Sequence, residues 1–158
     1  MVCRSGLGGI WAANFHYLLE SRKPAESAIE KGRNILQALI VDENRFFRET
    51  FKTRLLEHFP SMSVQEAING KEAKEKINRT SPHLIFMDIC LPGLNGLQLT
   101  QRIKKDFPKI RIAMLTAYDL SEYRQAASQD GADRFFVKDS LEWKVVKAFV
   151  HSIPKDTP

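Results

Sequence analysis

The sequence predicts a doubly wound α/β fold, a five-stranded parallel sheet with helices on both faces. Between about residues 34 and 152, five short apolar runs alternate with five runs of helical spacing. Parallel neighbours in a sheet need crossover connections, and helices supply them. Charged or hydroxyl residues also stand where the apolar runs end, which is where an open α/β sheet gathers its functional groups.

Each element follows from its residues. Ile35 to Val41 is apolar and β-branched enough for a buried strand and stops at the acidic pair Asp42 and Glu43. A helix is expected from Arg45 to His58, with Phe47, Phe51 and Leu55 at i, i+4 spacing and Pro60 ending it. Met62 to Ala67 reads as the second strand, Lys71 to Asn78 as a short polar helix, and Leu84 to Met87 as the third strand, terminating at Asp88. The turn-rich Pro92, Gly93, Asn95 and Gly96 precede a helix from Leu97 to Asp106, closed by Pro108. Arg111 to Thr116 is strand four, Leu120 to Gln129 helix four and Arg134 to Lys138 strand five. The last helix, Leu141 to His151, is expected to bury Val145, Val146, Phe149 and Val150, with Asp139 and Glu142 as its capping box.

A chain of 158 residues holds one ordinary domain with little room for a second. With 43% hydrophobic and 27% charged residues it reads as globular, neither disordered nor membrane-embedded. Its formal charge is +5, but the 24 Lys and Arg residues are interleaved with acids, so a solvated surface is expected in place of a nucleic-acid footprint. Cys3 and Cys90 lie too far apart for metal-ligand spacing and suggest neither a disulfide framework nor a zinc site, which fits a cytoplasmic location. Leu7 to Leu19 is interrupted by glycines, Asn14 and His16 and is shorter than the roughly 20 residues a membrane span needs. No small-residue cleavage site follows it. Residues 1–33 form a leader in which Trp11, Phe15, Leu18 and Leu19 recur at helical spacing. It reads either as a segment that docks on the domain or a partner, or as an over-extended gene start. Residues 34–152 form the domain, and residues 153–158 a tail.

Asp42, Glu43, Asp88, Thr116 and Lys138 therefore converge on one sheet edge. Crowded carboxylates raise one another's pKa unless a cation sits among them, and all-oxygen ligation suits Mg²⁺. With Mg²⁺ and Lys138 neutralising charge, one carboxylate can attack phosphorus. Asp88, alone at the end of a central strand, is the candidate nucleophile. The Asp42–Glu43 pair suits the metal, and the Thr116 hydroxyl can donate to a phosphoryl oxygen.

The segments "LIVDE", "LIFMDICLPGLNGLQL", "IAMLTAY" and "GADRFFVKD" occur in order between Ile35 and Val150. In this the chain resembles the receiver domains of bacterial two-component response regulators. The resemblance implies a flavodoxin-like sheet of strand order 2-1-3-4-5 and a phosphoryl-accepting signalling switch, not an enzyme acting on other substrates. It makes Asp88 the phosphoacceptor, and Asp42, Glu43, Asp88 and the backbone carbonyl of Cys90 the Mg²⁺ contacts. Lys138 becomes the phosphoryl-pairing cation, Thr116 the switch hydroxyl and Phe135 the switch aromatic, while Cys90 and Tyr118 modulate phosphoryl lifetime. The implied partners are a histidine kinase or histidine phosphotransfer protein. An output partner or a second copy of the domain would meet the face of helix four, strand five and helix five. The "KDS" ending resembles the subgroup with helix-turn-helix output, yet Ser152 to Pro158 is too short for one, so direct DNA binding is not expected. Asp139 stands where many receivers carry a proline that forms a cis bond.

Other classes fit less well. A phosphatase of the haloacid dehalogenase type needs a second Asp where Cys90 stands. A flavodoxin-like cofactor binder needs a Gly-rich loop where Glu43 and Asn44 stand. A phosphorylation-independent binding module is the remaining rival.

Overall fold

The computed structural model describes residues 35–154. The reading of residues 1–33, with Cys3 and the aromatic spacing from Trp11, lies outside them, as do residues 155–158. The elements are β1 (Gln37–Val41), α1 (Arg45–His58), β2 (Ser63–Ala67), α2 (Gly70–Thr80), β3 (Leu84–Asp88), α3 (Gly96–Asp106), β4 (Arg111–Thr116), α4 (Ser121–Gln129), β5 (Arg134–Val137) and α5 (Trp143–His151). All strand pairs are parallel, in the order β2-β1-β3-β4-β5. The expected fold and strand order are both observed.

Period-two alternation along the central strands sends successive side chains to opposite faces. Leu39, Val41, Ile85, Met87, Ile112 and Met114 pack with Ala73, Ile77, Leu99, Ile103 and Ala127 of α2, α3 and α4. Ala38, Ile40, Leu84, Phe86, Ala113 and Leu115 pack with Phe51 and Leu55 of α1 and with Val146, Phe149 and Val150 of α5. Burial of each larger side chain favours folding by about 1.5–3 kcal/mol. The central strands are thus buried on both faces.

Asparagine side chains start three helices. Asn44 accepts from Phe47 N, Asn69 from Glu72 N and Asn95 from Leu97 N. Each satisfies a helix-terminal N–H that would otherwise lack a partner, an interaction worth about 1 kcal/mol. Asn44 and Asn95 begin their helices directly after the loops that follow β1 and β3, so they also fix the geometry of those loops.

The last segment departs from expectation. β5 ends at Val137, and Lys138–Ser140 form a 3₁₀ turn. Leu141 is extended and packs on the core, so α5 starts only at Trp143. Glu142 is therefore the residue preceding the helix and makes no side-chain cap; the Asp139–Glu142 capping box does not form. Val145, expected inside, is exposed, because the buried stripe of α5 runs through Val146, Phe149 and Val150 and leaves Val145 about 100° round the helix. No described peptide bond is cis, including the one joining Lys138 to Asp139.

Candidate functional site

The register of the sheet brings the predicted residues to one edge. Val41 pairs with Met87, so Asp42 and Asp88 follow at the same level on adjacent strands. Asp88 pairs with Leu115, one residue before Thr116, and Thr116 pairs with Val137, one residue before Lys138. Four residues distant in sequence thus become neighbours through backbone pairing alone.

Lys138 Nζ bridges the two aspartates, 2.6 Å from Asp42 Oδ2 and 3.2 Å from Asp88 Oδ2. Asp42 is fully buried, and its Oδ1 accepts from Asn44 N at 2.8 Å. Its Oδ2, despite the close ion pair, has no hydrogen bond of good geometry. Asp88 Oδ1 accepts from Cys90 N at 3.3 Å. Burial pushes the Asp88 carboxyl above the usual carboxylate range and the charge of Asp42 adds to this, while Lys138 only partly offsets it. For Lys138, burial works against the charge, but the two carboxylates prevail and hold the ammonium above the usual lysine range. The ring of Phe47 covers the same ammonium, 4.6 Å from Nζ to the centroid, and Phe47 in turn stacks on Phe51.

Thr116 is fully buried, and its Oγ1 accepts from Tyr118 N at 3.1 Å. Tyr118 and Cys90 are exposed beside the strand ends. Partial covering of the Cys90 sulfur and the charge of Asp88 push its thiol up, with a smaller contribution from Glu43, so the thiol stays protonated. Glu43 is exposed at the rim of the site. Phe135 is half-buried on β5, next to Met114 of β4, and the guanidinium of Arg124 lies 4.7 Å from its ring centroid. Arg124 Nε donates to Asp119 in the loop after Thr116, so the aromatic is tied to that loop through α4.

The residues fit Mg²⁺. An orphaned carboxylate oxygen on a fully buried Asp42 and a neighbouring Asp88 disfavoured as an anion mark a site short of positive charge. Among the described residues no three His, Cys, Asp or Glu side chains close on one point. Mg²⁺ does not need such a cage, since it keeps several waters and is bound through one or two carboxylates.

Residues 38–149 match the family model of the response regulator receiver domain. The chain belongs to this family. The receiver domain is 31% identical over 115 residues to the response regulator protein VraR of Staphylococcus saprophyticus, covering 72% of this chain and 54% of that protein. It is also 31% identical over 120 residues to the transcriptional regulatory protein LnrK of Bacillus subtilis, covering 75% of this chain and 54% of the relative. Among solved structures, a LuxR-family two-component response regulator from an Aurantimonas species superposes with a TM-score of 0.67 at 29% identity, over 74% of this chain and 84% of that one. A CheY-like receiver domain protein from Methanospirillum hungatei gives 0.66 at 26% identity, over 74% and 92%. The chain spans about half the length of the curated relatives it matches. Among the described residues no helix is long and apolar enough to cross a membrane.

Three residues at this site were not singled out from the sequence. The helical spacing places Phe47 only in the core stripe of α1. Gly96 reads in the sequence as a turn residue, yet a Cβ there would fall 1.9 Å from the Asp88 carbonyl oxygen, so only glycine lets α3 approach the strand end. Arg48 is charged but buried in the first turns of α1. Its burial depends on partners distant in the sequence, so the sequence carries no local signal for it.

Proposed function

We propose that this receiver domain is a phosphoryl switch in which Asp88 takes a phosphoryl group from a phosphohistidine on a kinase or phosphotransfer protein. An Asp88 carboxylate oxygen forms a bond to phosphorus while the phosphorus–nitrogen bond breaks, and the imidazole leaves with the electron pair and picks up a proton. Asp42 and Glu43, with Asp88 and the Cys90 carbonyl, are the residues that would hold Mg²⁺. The bound ion supplies charge neutralisation for the phosphoryl oxygens. Lys138 supports the same oxygens from the β5 side, and its two carboxylate partners hold it charged and aimed at them.

The observation that carries this reading is the Lys138 bridge between two aspartates at the ends of adjacent strands, in a chain of the receiver family. The phosphate, carrying about −1.5 to −2 charges, attracts the Thr116 hydroxyl. Movement of Phe135 toward the space so vacated alters the face made by α4, β5 and α5. Leu120, just before α4, and Val145, on α5, are exposed apolar residues suited to a protein partner or a second copy. Tyr118 and Cys90 flank the opening and govern the access of water to the phosphorylated Asp88.

The test is incubation with acetyl phosphate, with and without Mg²⁺, read by intact mass for the wild type and Asp88→Asn. A Mg²⁺-dependent gain of one phosphoryl group, absent in the variant, is expected. Equal labelling of the variant would place the acceptor elsewhere and defeat the reading.

A further inference from the structure

The placement of Arg48 runs against local preference. It lies in the opening turns of α1, where the helix dipole disfavours a positive charge, and it is buried to 8% exposure. A cation kept in such a place has a specific set of partners. Arg48 Nη1 donates to the carbonyl oxygens of Asp42 at 2.8 Å and Glu43 at 3.1 Å, while its Nε donates to Glu66 Oε2 at 3.3 Å on β2. Glu66 is held in turn by Lys52 Nζ at 2.8 Å.

The turn between β1 and α1 is thereby pinned group by group. Asp42 N donates to Ala67 O, Asn44 N to Asp42 Oδ1, and Phe47 N to the Asn44 side chain. With the two carbonyls taken by Arg48, the side-chain oxygens of the acidic pair left without a hydrogen bond among the described residues are Asp42 Oδ2 and the rim carboxylate of Glu43. Glu66 also offsets the guanidinium charge, so the clamp does not itself repel a cation.

We propose that Arg48, anchored by Glu66, is a positioning residue that holds the Asp42–Glu43 turn in the geometry that receives a divalent cation. The proposal rests on the reading of that pair as the Mg²⁺ ligands. Arg48 touches neither the ion nor the phosphoryl group. It acts by removing main-chain freedom from the residues that do, and residues orienting ligands in this way commonly change metal affinity by about 10–100-fold. Lysine keeps the charge of Arg48 but cannot span two carbonyls and a carboxylate at once.

The experiment is calorimetric Mg²⁺ titration of the full chain for the wild type, Arg48→Lys, Glu66→Gln, Lys52→Met and Asp42→Asn, with thermal unfolding of each and acetyl phosphate labelling across a Mg²⁺ series. Arg48→Lys is expected to weaken Mg²⁺ binding about tenfold and Glu66→Gln about threefold, with labelling at saturating Mg²⁺ recovering to within about twofold of wild type. Lys52→Met, which removes only the outer partner of Glu66, is expected not to weaken Mg²⁺ binding. A folded Arg48→Lys protein that binds Mg²⁺ like wild type overturns the proposal, as does loss of the maximal labelling rate with unchanged Mg²⁺ affinity. Should Arg48→Lys fail to fold, Glu66→Gln decides by the same criterion. Failure of the underlying site reading looks different: Asp42→Asn would then bind Mg²⁺ as well as wild type, or the wild type would not bind it.

Discussion

The two ends of the sheet bury charge in opposite ways. At the amino edge, Asp133 lies before β5 and accepts from Ile112 N at 2.8 Å and from Lys104 Nζ at 2.7 Å, while Arg111 Nη1 stands 3.2 Å from its other oxygen. There one anion meets two cations, with only Arg111 Nε left over among the buried atoms of that cluster. At the carboxyl edge, Asp42 and Asp88, with Glu43 nearby, share the single ammonium of Lys138, and the orphan is an acceptor, Asp42 Oδ2. A buried charge that serves only the fold is neutralised by the fold itself. On the proposed reading, the carboxylates kept for chemistry are left under-neutralised, and the missing charge is what a bound cation would supply.

The comparison is broken most severely at the amino edge. Asp133→Asn leaves Lys104 and Arg111 without their counter-charge, and a loss of about 3 kcal/mol is expected in urea unfolding, with normal labelling of the molecules that remain folded. Gly96→Ala attacks the other edge through its backbone. Its Cβ must displace the Asp88 carbonyl or α3, so a loss of about 2 kcal/mol is expected. The accompanying misplacement of Asp88 should cut acetyl phosphate labelling about a hundredfold.

Neutralising the carboxyl edge has the opposite sign. Because the folded state holds the Asp88 pKa above its unfolded value, ionised Asp88 at neutral pH weakens the fold, and neutral asparagine removes that penalty. Asp88→Asn without Mg²⁺ is therefore expected to unfold at a higher temperature than wild type, by about 1 kcal/mol in stability. Added Mg²⁺ should raise the wild type toward the variant, since an ion that binds only the folded state stabilises it. A variant less stable than wild type in both conditions would contradict the charge imbalance.

The smallest effect comes from His83, before β3 at the amino edge. Its Nδ1 accepts from Gln37 N at 3.1 Å, and burial holds the imidazole below its usual range. In the unfolded chain the ring takes a proton as pH falls through the ordinary imidazole range, while the folded state resists it. Stability is therefore complete above that range and declines below it. The unfolding midpoint of wild type should fall between pH 7 and pH 5 more steeply than that of His83→Asn, in which an amide oxygen can replace Nδ1 as acceptor.

Much of the fold was legible because its information is local. The β4 limits, Arg111 and Thr116, are those expected, and Pro60 and Pro108 follow closely on the ends of α1 and α3. The residues read as the site were legible for a related reason: Asp42, Asp88, Thr116 and Lys138 each end or follow a strand, and parallel pairing aligns those ends. Arg48 was not legible, since its partner Glu66 is 18 residues away and their meeting depends on β2 lying beside β1. Gly96 was legible as a turn residue but not as a contact, because nothing local records that α3 starts against the Asp88 carbonyl. At α5 the departure of Leu141 into the core moved the helix start and erased the anticipated cap.

β5 has one further consequence. It is an outer strand of the sheet, four residues long, with an exposed arginine at its first position. A free strand margin is an invitation to indiscriminate pairing and aggregation, and brevity and charge are the usual defences. This margin belongs to the face proposed to meet partners. Its shortness lets it present side chains for recognition while offering too little backbone ladder for another chain to extend the sheet.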